Sequence, residues 1–327
     1  MRFPLEKICM ILVPSLLLVA ALFYEVCFGV QTNQPEAKGP GPYPIVVTVG
    51  AKGAIFVVDK ELKTVFRVEP ENKLKQLFKG SRKYRTPLYN VMALAADSAG
   101  NLFLGDTGSM DVWRLSPEGK LTPMTGQKIA RGIGPAPTDQ NFDPDGAYAG
   151  KFDKPMGVTV DSDGSIVVAD LGLAAIFRIP ADGGDPQEIA RVPAPHGIAR
   201  DREGGFVVVS HGKDQLVRVS AGGEVSPIVR GSLAPKNFPH NVVVDQAGYI
   251  VTDGYAKAVW RVALDGKVKP IVQGEPLINP VGLALESDGN ILVADPHAKK
   301  LFRVTLEAQI STVATFEGDG KQPRTTN

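Results

Sequence analysis

The sequence predicts an all-β fold, a six-bladed β-propeller of four-stranded antiparallel blades. First, a unit of short apolar runs separated by Gly and Asp turns recurs six times, at spacings of 40 to 47 residues except across one insertion. Second, 35 Gly and 26 Pro among 327 residues suit many turns between short strands. Third, a four-stranded unit is too small to be stable alone, so the units must pack against one another and close into a ring.

The unit is clearest in residues 155–184, PMGVTVDSDGSIVVADLGLAAIFRIPADGG. A Pro-x-Gly start leads into an apolar run, a D-x-D-G turn and a second apolar run that Asp170 closes. A loop then precedes a third run, which carries Arg178, and a Gly turn precedes a fourth. Short β-branched runs divided by Gly/Asp turns are typical of strands in hairpins. Each unit is therefore predicted to be one four-stranded blade.

Two polar positions recur with the blades and are predicted to be structural. The residues that close the second run are Asp59, Asp106, Asp170, Ser210, Asp253 and Asp295. Arginines follow eight residues later, at Arg67, Arg114, Arg178, Arg218, Arg261 and Arg303. Because the loop between the second and third strands separates the two positions, we predict a cross-strand charge pair in each blade that has the Asp. Ser210 marks blade four as the exception.

The pattern P-x-G-(V/I/L)-x-V-D-x-x-G-x-(I/L)-x-V-A-D…R-(I/V), over residues 44–316, resembles the NHL repeat. It is also similar to the gluconolactonase-like and strictosidine-synthase-like six-bladed propellers. The resemblance implies the architecture, but this fold hosts hydrolases, lyases and binding proteins alike. It also implies that the starts of the first strands can hold a metal, through Asn and Asp in gluconolactonase-like enzymes and through His in peptidylamidoglycolate lyases.

The chain is predicted to be exported as a single propeller domain. Residues 1–30 contain basic residues beside an apolar run at 8–24, which indicates a signal peptide or an uncleaved signal anchor. Either places the propeller outside the cytoplasm, secreted or periplasmic, with membrane contact only through the anchor. Residues 31–43 form a linker, residues 44–316 the propeller and residues 317–327 a disordered tail. We expect a monomer.

Composition excludes two kinds of partner or site. The formal net charge is +1, so no overall basic excess favours nucleic acid. Cys9 and Cys27 are the only cysteines and both lie in the leader, so the propeller has neither a disulfide nor a thiolate metal site.

The four histidines do not follow the repeat and are the main candidates for function. His196 and His240 occupy the start of the first strand in blades four and five, which lies at one mouth of the central channel. His211 and His297 fall in loops after the second strand and open on the same face. The predicted ligand-binding face comprises His196, His211, His240, Tyr255, His297, Met92 and Met156.

Two functions from different classes fit this face. The first is binding of a small molecule, peptide or glycan at the channel mouth. The second is a metal-dependent lyase or hydrolase in which His196 and His240 ligate Zn²⁺ or Ca²⁺ and a third His or Asp completes the site. Ser210 and His211 are neighbours in the sequence, and neighbouring side chains in an extended chain point in opposite directions, so a serine nucleophile is not expected. No catalytic residue is assigned.

The one long insertion, residues 126–154, lies between blades two and three. Long loops of this kind often gate ligands, so we predict a lid over the mouth. Asn141, Asp143 and Asp145 imitate the start of a Ca²⁺-binding loop, although Phe152 stands where such a loop needs Glu.

Overall fold

The computed structural model describes residues 41–83, 85–129 and 147–317. They form six four-stranded antiparallel sheets, each with its strands in chain order, and one two-stranded hairpin. The predicted six-bladed propeller is therefore confirmed. The leader, the residues beyond 317 and the candidate Ca²⁺ ligands at 141–145 lie outside the described residues. Within the described residues, no helix has the length and apolar character needed to cross a membrane.

The strands follow the repeat closely. Blades one and two consist of β1 (Pro44–Val49), β2 (Ile55–Asp59), β3 (Thr64–Glu69), β4 (Lys73–Lys79), β5 (Val91–Ala96), β6 (Leu102–Asp106), β7 (Asp111–Leu115) and β8 (Leu121–Pro123). The hairpin strands are β9 (Gln127–Ile129) and β10 (Ala147–Ala149). Blades three and four consist of β11 (Pro155–Val160), β12 (Ile166–Asp170), β13 (Ala175–Ile179), β14 (Gln187–Arg191), β15 (Pro195–Arg200), β16 (Phe206–Ser210), β17 (Leu216–Val219) and β18 (Val225–Val229). Blades five and six consist of β19 (Pro239–Asp245), β20 (Gly248–Asp253), β21 (Ala258–Ala263), β22 (Val268–Gln273), β23 (Gly282–Leu285), β24 (Ile291–Asp295), β25 (Lys300–Val304) and β26 (Ile310–Thr315). Two short 3₁₀ turns, Ala51–Gly53 and Pro70–Asn72, lie in blade one.

The blades are held together by apolar packing. The described buried side chains form six hydrophobic clusters, one at each junction between neighbouring blades. The ring closes by packing of β1 against β23 and β24, and none of the described strands is shared between blades six and one. Backbones approach closely at some junctions: a Cβ added at Gly157 would lie 2.2 Å from the carbonyl oxygen of His196. Such positions accept only glycine.

The first strand of every blade faces a central channel. Residues from all six of these strands line a cavity of about 220 Å³ on the axis. Because each blade is an antiparallel meander, the start of its first strand and the loop between its second and third strands lie on one face of the ring. We call this the mouth face. The turns between first and second strands, and between third and fourth strands, lie on the opposite, turn face.

The prediction that each closing Asp pairs with the Arg eight residues later is wrong. In blade three Asp170 lies opposite Ala175, whereas Arg178 lies opposite Val167, at the other end of the strand. The Asp and the Arg are eight residues apart in an antiparallel hairpin whose loop has four residues. Their side chains therefore lie near opposite faces of the ring. The charge pair is therefore impossible in this register.

The closing Asp residues instead hold the loops of the mouth face. The Asp170 carboxylate accepts backbone N–H bonds from Asp153, Lys154 and Leu173, at 2.9 to 3.1 Å. All five such aspartates are fully buried. In blade four the Ser210 hydroxyl takes over this role. The repeated Asp is structural, as the repeat predicted, but through backbone capping rather than charge pairing.

Ser210 satisfies the loop with a single hydroxyl. It donates to the carbonyl oxygen of Pro193 at 2.6 Å and accepts from the backbone N–H of Gly212 at 3.0 Å. A neutral hydroxyl replaces a buried carboxylate here, so blade four carries one buried charge fewer beneath its mouth loop.

The repeated arginines reach the acidic residue of the first turn, on the turn face. The four pairs are Arg178–Asp161 (2.8 Å), Arg218–Asp201 (2.7 Å), Arg261–Asp245 (2.5 Å) and Arg303–Glu286 (2.5 Å). Blade one differs, because Gly50 stands where those turns have an acid. There Arg67 is instead 3.4 Å from Glu69.

Candidate functional site

Four aromatic rings from blades four and five meet at the mouth face. His196 lies at the start of β15, His211 directly follows β16, and Phe238 and His240 flank Pro239, the first residue of β19. We call these four residues the His–Phe cluster. The sequence predicted that the three histidines share this face, and the structure brings them together.

The ring of Phe238 lies close to all three imidazole rings. The rings of His196 and His211 are stacked, with centroids 3.9 Å apart and planes 26° from parallel. The Phe238 centroid lies 4.2 Å from that of His211, 5.1 Å from that of His240 and 6.2 Å from that of His196. Phe238 is itself 45% exposed, so the cluster presents an aromatic surface to solvent.

The backbone around Phe238 is fixed by the blade scaffold. The Phe238 N–H donates to the Asp253 carboxylate at 2.9 Å. His211 Nε2 lies 2.7 Å from the carbonyl oxygen of Pro239. Because a carbonyl oxygen only accepts, His211 Nε2 must carry the proton, which leaves Nδ1 with a lone pair when the ring is neutral. A structural Asp and a mouth-face His thus both orient the segment that carries Phe238.

Burial keeps two of the imidazoles uncharged at neutral pH. Desolvation, followed by the charges of the neighbouring His211 and His240, lowers the pKa of His196 to about 3. Desolvation, followed by the charge of His211, lowers the pKa of His240 to about 4. The charged form loses its hydration in this setting without gaining an acidic partner. Neutral imidazoles can donate one hydrogen bond and accept another.

His240 lies beside an amide above Gly254. A Cβ added at Gly254 would be 2.1 Å from Asn279 Oδ1 and 2.8 Å from His240 Nε2. Both groups therefore occupy the space that a side chain at 254 would need. Asn279 is held from below, because its backbone N–H donates to the buried Asp295 carboxylate at 2.9 Å. This corner adds an amide to the hydrogen-bonding groups of the mouth.

Three further exposed apolar side chains share the mouth face with Phe238, and we call the four together the apolar rim. Leu173 and Tyr255 lie in loops between second and third strands, and Phe238 and Ile278 precede first strands. They are 37%, 66%, 45% and 41% exposed, respectively. The described large apolar side chains that are exposed number seven, and these four are the ones that lie on the mouth face. The predicted Tyr255 therefore belongs to this rim.

The remaining predicted residues lie elsewhere on or below the mouth face. Met156 lines the channel cavity, and Met92 packs against the hydrophobic cluster of blades one and two. His297 of blade six contacts Tyr43, with its Nε2 3.3 Å from the phenol oxygen. The ring centroids of this pair are 5.8 Å apart. A histidine beside the aromatic residue that precedes the next first strand thus occurs twice, at blade junctions 4/5 and 6/1.

The described donors do not fit a three-ligand metal centre. Among the residues at 41–83, 85–129 and 147–317, no group of three or more His, Cys, Asp or Glu side chains is arranged to hold a metal ion. His196 stacks face to face on His211, so their ring nitrogens are not directed at a common point. The predicted ligand pair His196 and His240 therefore lacks a third described ligand, and no chemical step is derived through a metal.

Sequence reasoning missed Phe238 and Asn279. Both precede a first strand, at positions where the repeat has no fixed residue. Tyr43 and Phe238 are the aromatic residues found directly before a first-strand proline, in blades one and five. Departure from the repeat, which pointed to the histidines, gives no signal at such positions; an aromatic residue directly before a first-strand proline is the signal that could have found Phe238.

The predicted lid is only partly within the described residues. The hairpin of β9 and β10 brackets residues 130–146, which lie outside them. The lid and the Ca²⁺-loop hypotheses for this insertion stay predictions.

Comparison with known proteins relates the chain to others by fold. The chain matches no family model and no curated protein sequence. Among solved structures it is similar to virginiamycin B lyase from Staphylococcus aureus, with 15% identity, 85% of this chain and 86% of that chain covered and a TM-score of 0.59. It is also similar to a gluconolactonase from Xanthomonas campestris, with 13% identity, coverage of 84% and 88% and a TM-score of 0.62. A chain of a nidogen–laminin complex is similar too, with 15% identity, coverage of 84% and 92% and a TM-score of 0.58. At these identities the likeness shows the fold alone, a fold carried by two enzymes and by a chain of a nidogen–laminin complex.

Proposed function

We propose that this propeller binds a small organic molecule or peptide through a planar or apolar group at the mouth face. The observation that carries the proposal is the His–Phe cluster, in which three imidazoles surround the exposed ring of Phe238. Aromatic rings offer large, rigid contact area and stack on planar ligand groups. A glycan, which also stacks on aromatic rings, is the third ligand class that fits this surface.

The uncharged histidines favour binding over acid–base catalysis by His196 and His240. A general base works best when its pKa is near the working pH. Imidazoles with pKa values of about 3 and 4 are weak bases that stay neutral at pH 7. Together with the Asn279 amide, they can instead hydrogen-bond a neutral polar group of the ligand while Phe238 and the rim contact its apolar part.

Histidine-selective NMR tests the binding proposal directly. The chain has four histidines, so [¹³C]histidine labelling gives four Cε1–Hε1 signals. We expect a bound ligand, screened from cyclic peptides, lactones and oligosaccharides, to shift the signals of His196, His211 and His240. Phe238→Ala should weaken binding about tenfold, since a buried aromatic contact of this size contributes on the order of 1–2 kcal/mol.

The matched control removes an exposed apolar residue from the turn face. Leu264 is 56% exposed and lies in the turn between β21 and β22. Leu264→Ala should leave the dissociation constant unchanged. If both variants bind as the wild type does, or if bound ligands shift no histidine signal, the mouth face is not the binding site.

A second candidate function is a lyase or hydrolase at the same face. The observation that favours it is the presence of two enzymes among the structural neighbours, one of which is described in an inactive form with a histidine replaced by alanine. In this chain His211 would supply the basic nitrogen, because its Nε2 bond to Pro239 leaves Nδ1 as an acceptor. Its substrate would be a cyclic ester or a cyclic peptide.

Turnover and metal content test this candidate separately. Quinupristin, present in the lyase complex, and glucono-δ-lactone are the probes, with conversion followed by chromatography and mass detection. His211→Gln should abolish any conversion, and Phe238→Ala should mainly raise KM. Elemental analysis of protein purified without chelator, beside a His196→Ala/His240→Ala variant, tests Zn²⁺ or Ca²⁺. Stoichiometric metal that the variant loses would support a metal-dependent enzyme, and metal-free protein after soaking would contradict it.

We also propose that the propeller acts outside the cytoplasm as a monomer. The basic residues and apolar run of the leader support export, to the periplasm or as a secreted protein. N-terminal sequencing of protein recovered from cell fractions separates a cleaved signal peptide from a retained membrane anchor. Sedimentation analysis of the exported form tests the monomer.

A further inference from the structure

A groove on the turn face, far from the His–Phe cluster, lies between blades one and two. Its walls are the first turn of blade one, the end of β3 and the middle of β4, with the facing turns of blade two at 98–100 and 115–119. The groove has a volume of about 790 Å³, more than three times that of the channel cavity. Pockets of several hundred Å³ are the size of ordinary small-molecule sites.

Arg67 is a cation in this groove that can bind a ligand, because blade one departs from the repeat. In four other blades the repeated arginine is held by an acid in the first turn, and its side chain is 14% to 35% exposed. In blade one that acid is replaced by Gly50, and Arg67 lines the groove with 46% of its side chain exposed. Its partner Glu69 is 3.4 Å away and itself 31% exposed, a surface ion pair of small strength. Arg67 can therefore take another anion at little cost.

The charges and apolar groups of the groove complement an amphipathic anion. Lys52 and Lys75 add two cations to Arg67, against the carboxylates of Glu69 and Glu118. The Glu118 carboxylate is engaged by a hydrogen bond from the Ser116 hydroxyl, which lowers its pKa.

Apolar side chains form the floor beside this charge. Phe56 and Leu77 of blade one are partly buried against the blade one/two cluster, and Pro70 and Pro117 cover the two sides. A planar guanidinium binds carboxylate and phosphate through two parallel hydrogen bonds, and the floor can hold a hydrocarbon or aromatic body next to it.

We propose that this groove is a second binding site, for a small carboxylate or phosphate monoester with an aromatic or aliphatic body. The anionic group pairs with Arg67 in place of Glu69, and the apolar body lies against Phe56 and Leu77. The site is independent of the mouth face, because it is built from other blades on the opposite face of the ring.

The test is a ¹H–¹⁵N NMR titration with phenyl phosphate and with benzoate, compared with inorganic phosphate and benzyl alcohol. We expect saturable shifts at the turns of blades one and two for the first two probes, and much weaker ones for the comparators, which lack either the body or the charge. Stronger binding of phenyl phosphate would identify the ligand as a phosphate ester, and stronger binding of benzoate as a carboxylate. Histidine Cε1–Hε1 signals at the mouth should not move.

Three variants decide the role of Arg67. Arg67→Gln should weaken binding about tenfold, since charge-assisted hydrogen bonds are lost. Gly50→Asp restores the turn acid of the other blades and should weaken binding similarly, with Phe56 shifting to make room. Arg191→Gln, the control, removes an arginine that is 69% exposed and paired with Glu188, and should leave binding unchanged.

Two results would overturn the proposal. One is the absence of saturable binding of either anionic probe by the wild-type protein. The other is equal affinity of the wild type and Arg67→Gln, which would show that the probes bind elsewhere or through their apolar part alone.

Discussion

Acidification should destabilise the protein through His240, and His240→Gln should remove that loss. Burial lowers the pKa of His240 to about 4, from 6.5 in an exposed ring. Below pH 6.5 His240 therefore binds a proton in the unfolded chain but stays unprotonated in the folded state until the pH nears 4. The free energy of unfolding consequently falls as the pH falls. The linkage amounts to about 2 kcal/mol at pH 5 and about 3 kcal/mol at pH 4, relative to pH 7.

Three buried carboxyls work in the opposite direction, so the variant must be compared with the wild type. Burial raises the pKa of Asp59 and Asp111 to about 6 and also raises the pKa of Asp106. These groups take up protons in the folded state first, and they therefore add stability as pH falls from above 6 towards 4. They are present in both proteins, so their contributions cancel in the difference between His240→Gln and the wild type.

Urea unfolding at pH 7 and pH 5, followed by the fluorescence of Trp113 and Trp260, measures the difference. We expect His240→Gln to gain about 2 kcal/mol on the wild type between these pH values, with an unchanged slope against urea. His297→Gln removes an exposed imidazole from the same face and should show a much smaller change. A folded-state His240 NMR signal that titrates near pH 6.5, or unfolding curves of variant and wild type that move in parallel, would refute the reasoning.

Two further predictions concern the scaffold beneath the site. Asp170→Ala leaves three loop N–H groups without their acceptor and should lower the free energy of unfolding by about 3 kcal/mol. Ser210→Ala should lower it by about 1 kcal/mol. Equal losses for the two variants in urea titrations would contradict the capping role of Asp170. Gly157→Ala places a methyl group against the backbone of the next blade and should lower the free energy of unfolding by about 3 kcal/mol. Gly222 is exposed, so Gly222→Ala should change this free energy by no more than about 0.5 kcal/mol. A thermal midpoint of Gly157→Ala equal to that of the wild type would show that the blades can separate locally.

The number of blades, their strands and the face on which each loop lies could all be predicted from the sequence. These properties are local, because a strand pairs with its chain neighbours and the turn residues fix the hairpins. His196, His211 and His240 could be assigned to one face from their positions in the repeat. The acidic residue that pairs with each of four repeated arginines could not be predicted. The spacing of eight residues between Asp and Arg does not say which residues lie opposite each other, since that depends on the length of the loop between the strands.

Which side chains meet could be seen only in the folded protein. The stacking of His196 on His211, the central position of Phe238 and the approach of Asn279 to His240 depend on the rotation between neighbouring blades and on side-chain rotamers. Neither the rotation between blades nor the rotamers can be predicted from the residue pattern of a single strand. The groove at Arg67 has the same origin: the sequence shows that Gly50 replaces an acid, but only the packing of blade one against blade two leaves a cavity beside an arginine whose one described acidic partner is the surface residue Glu69.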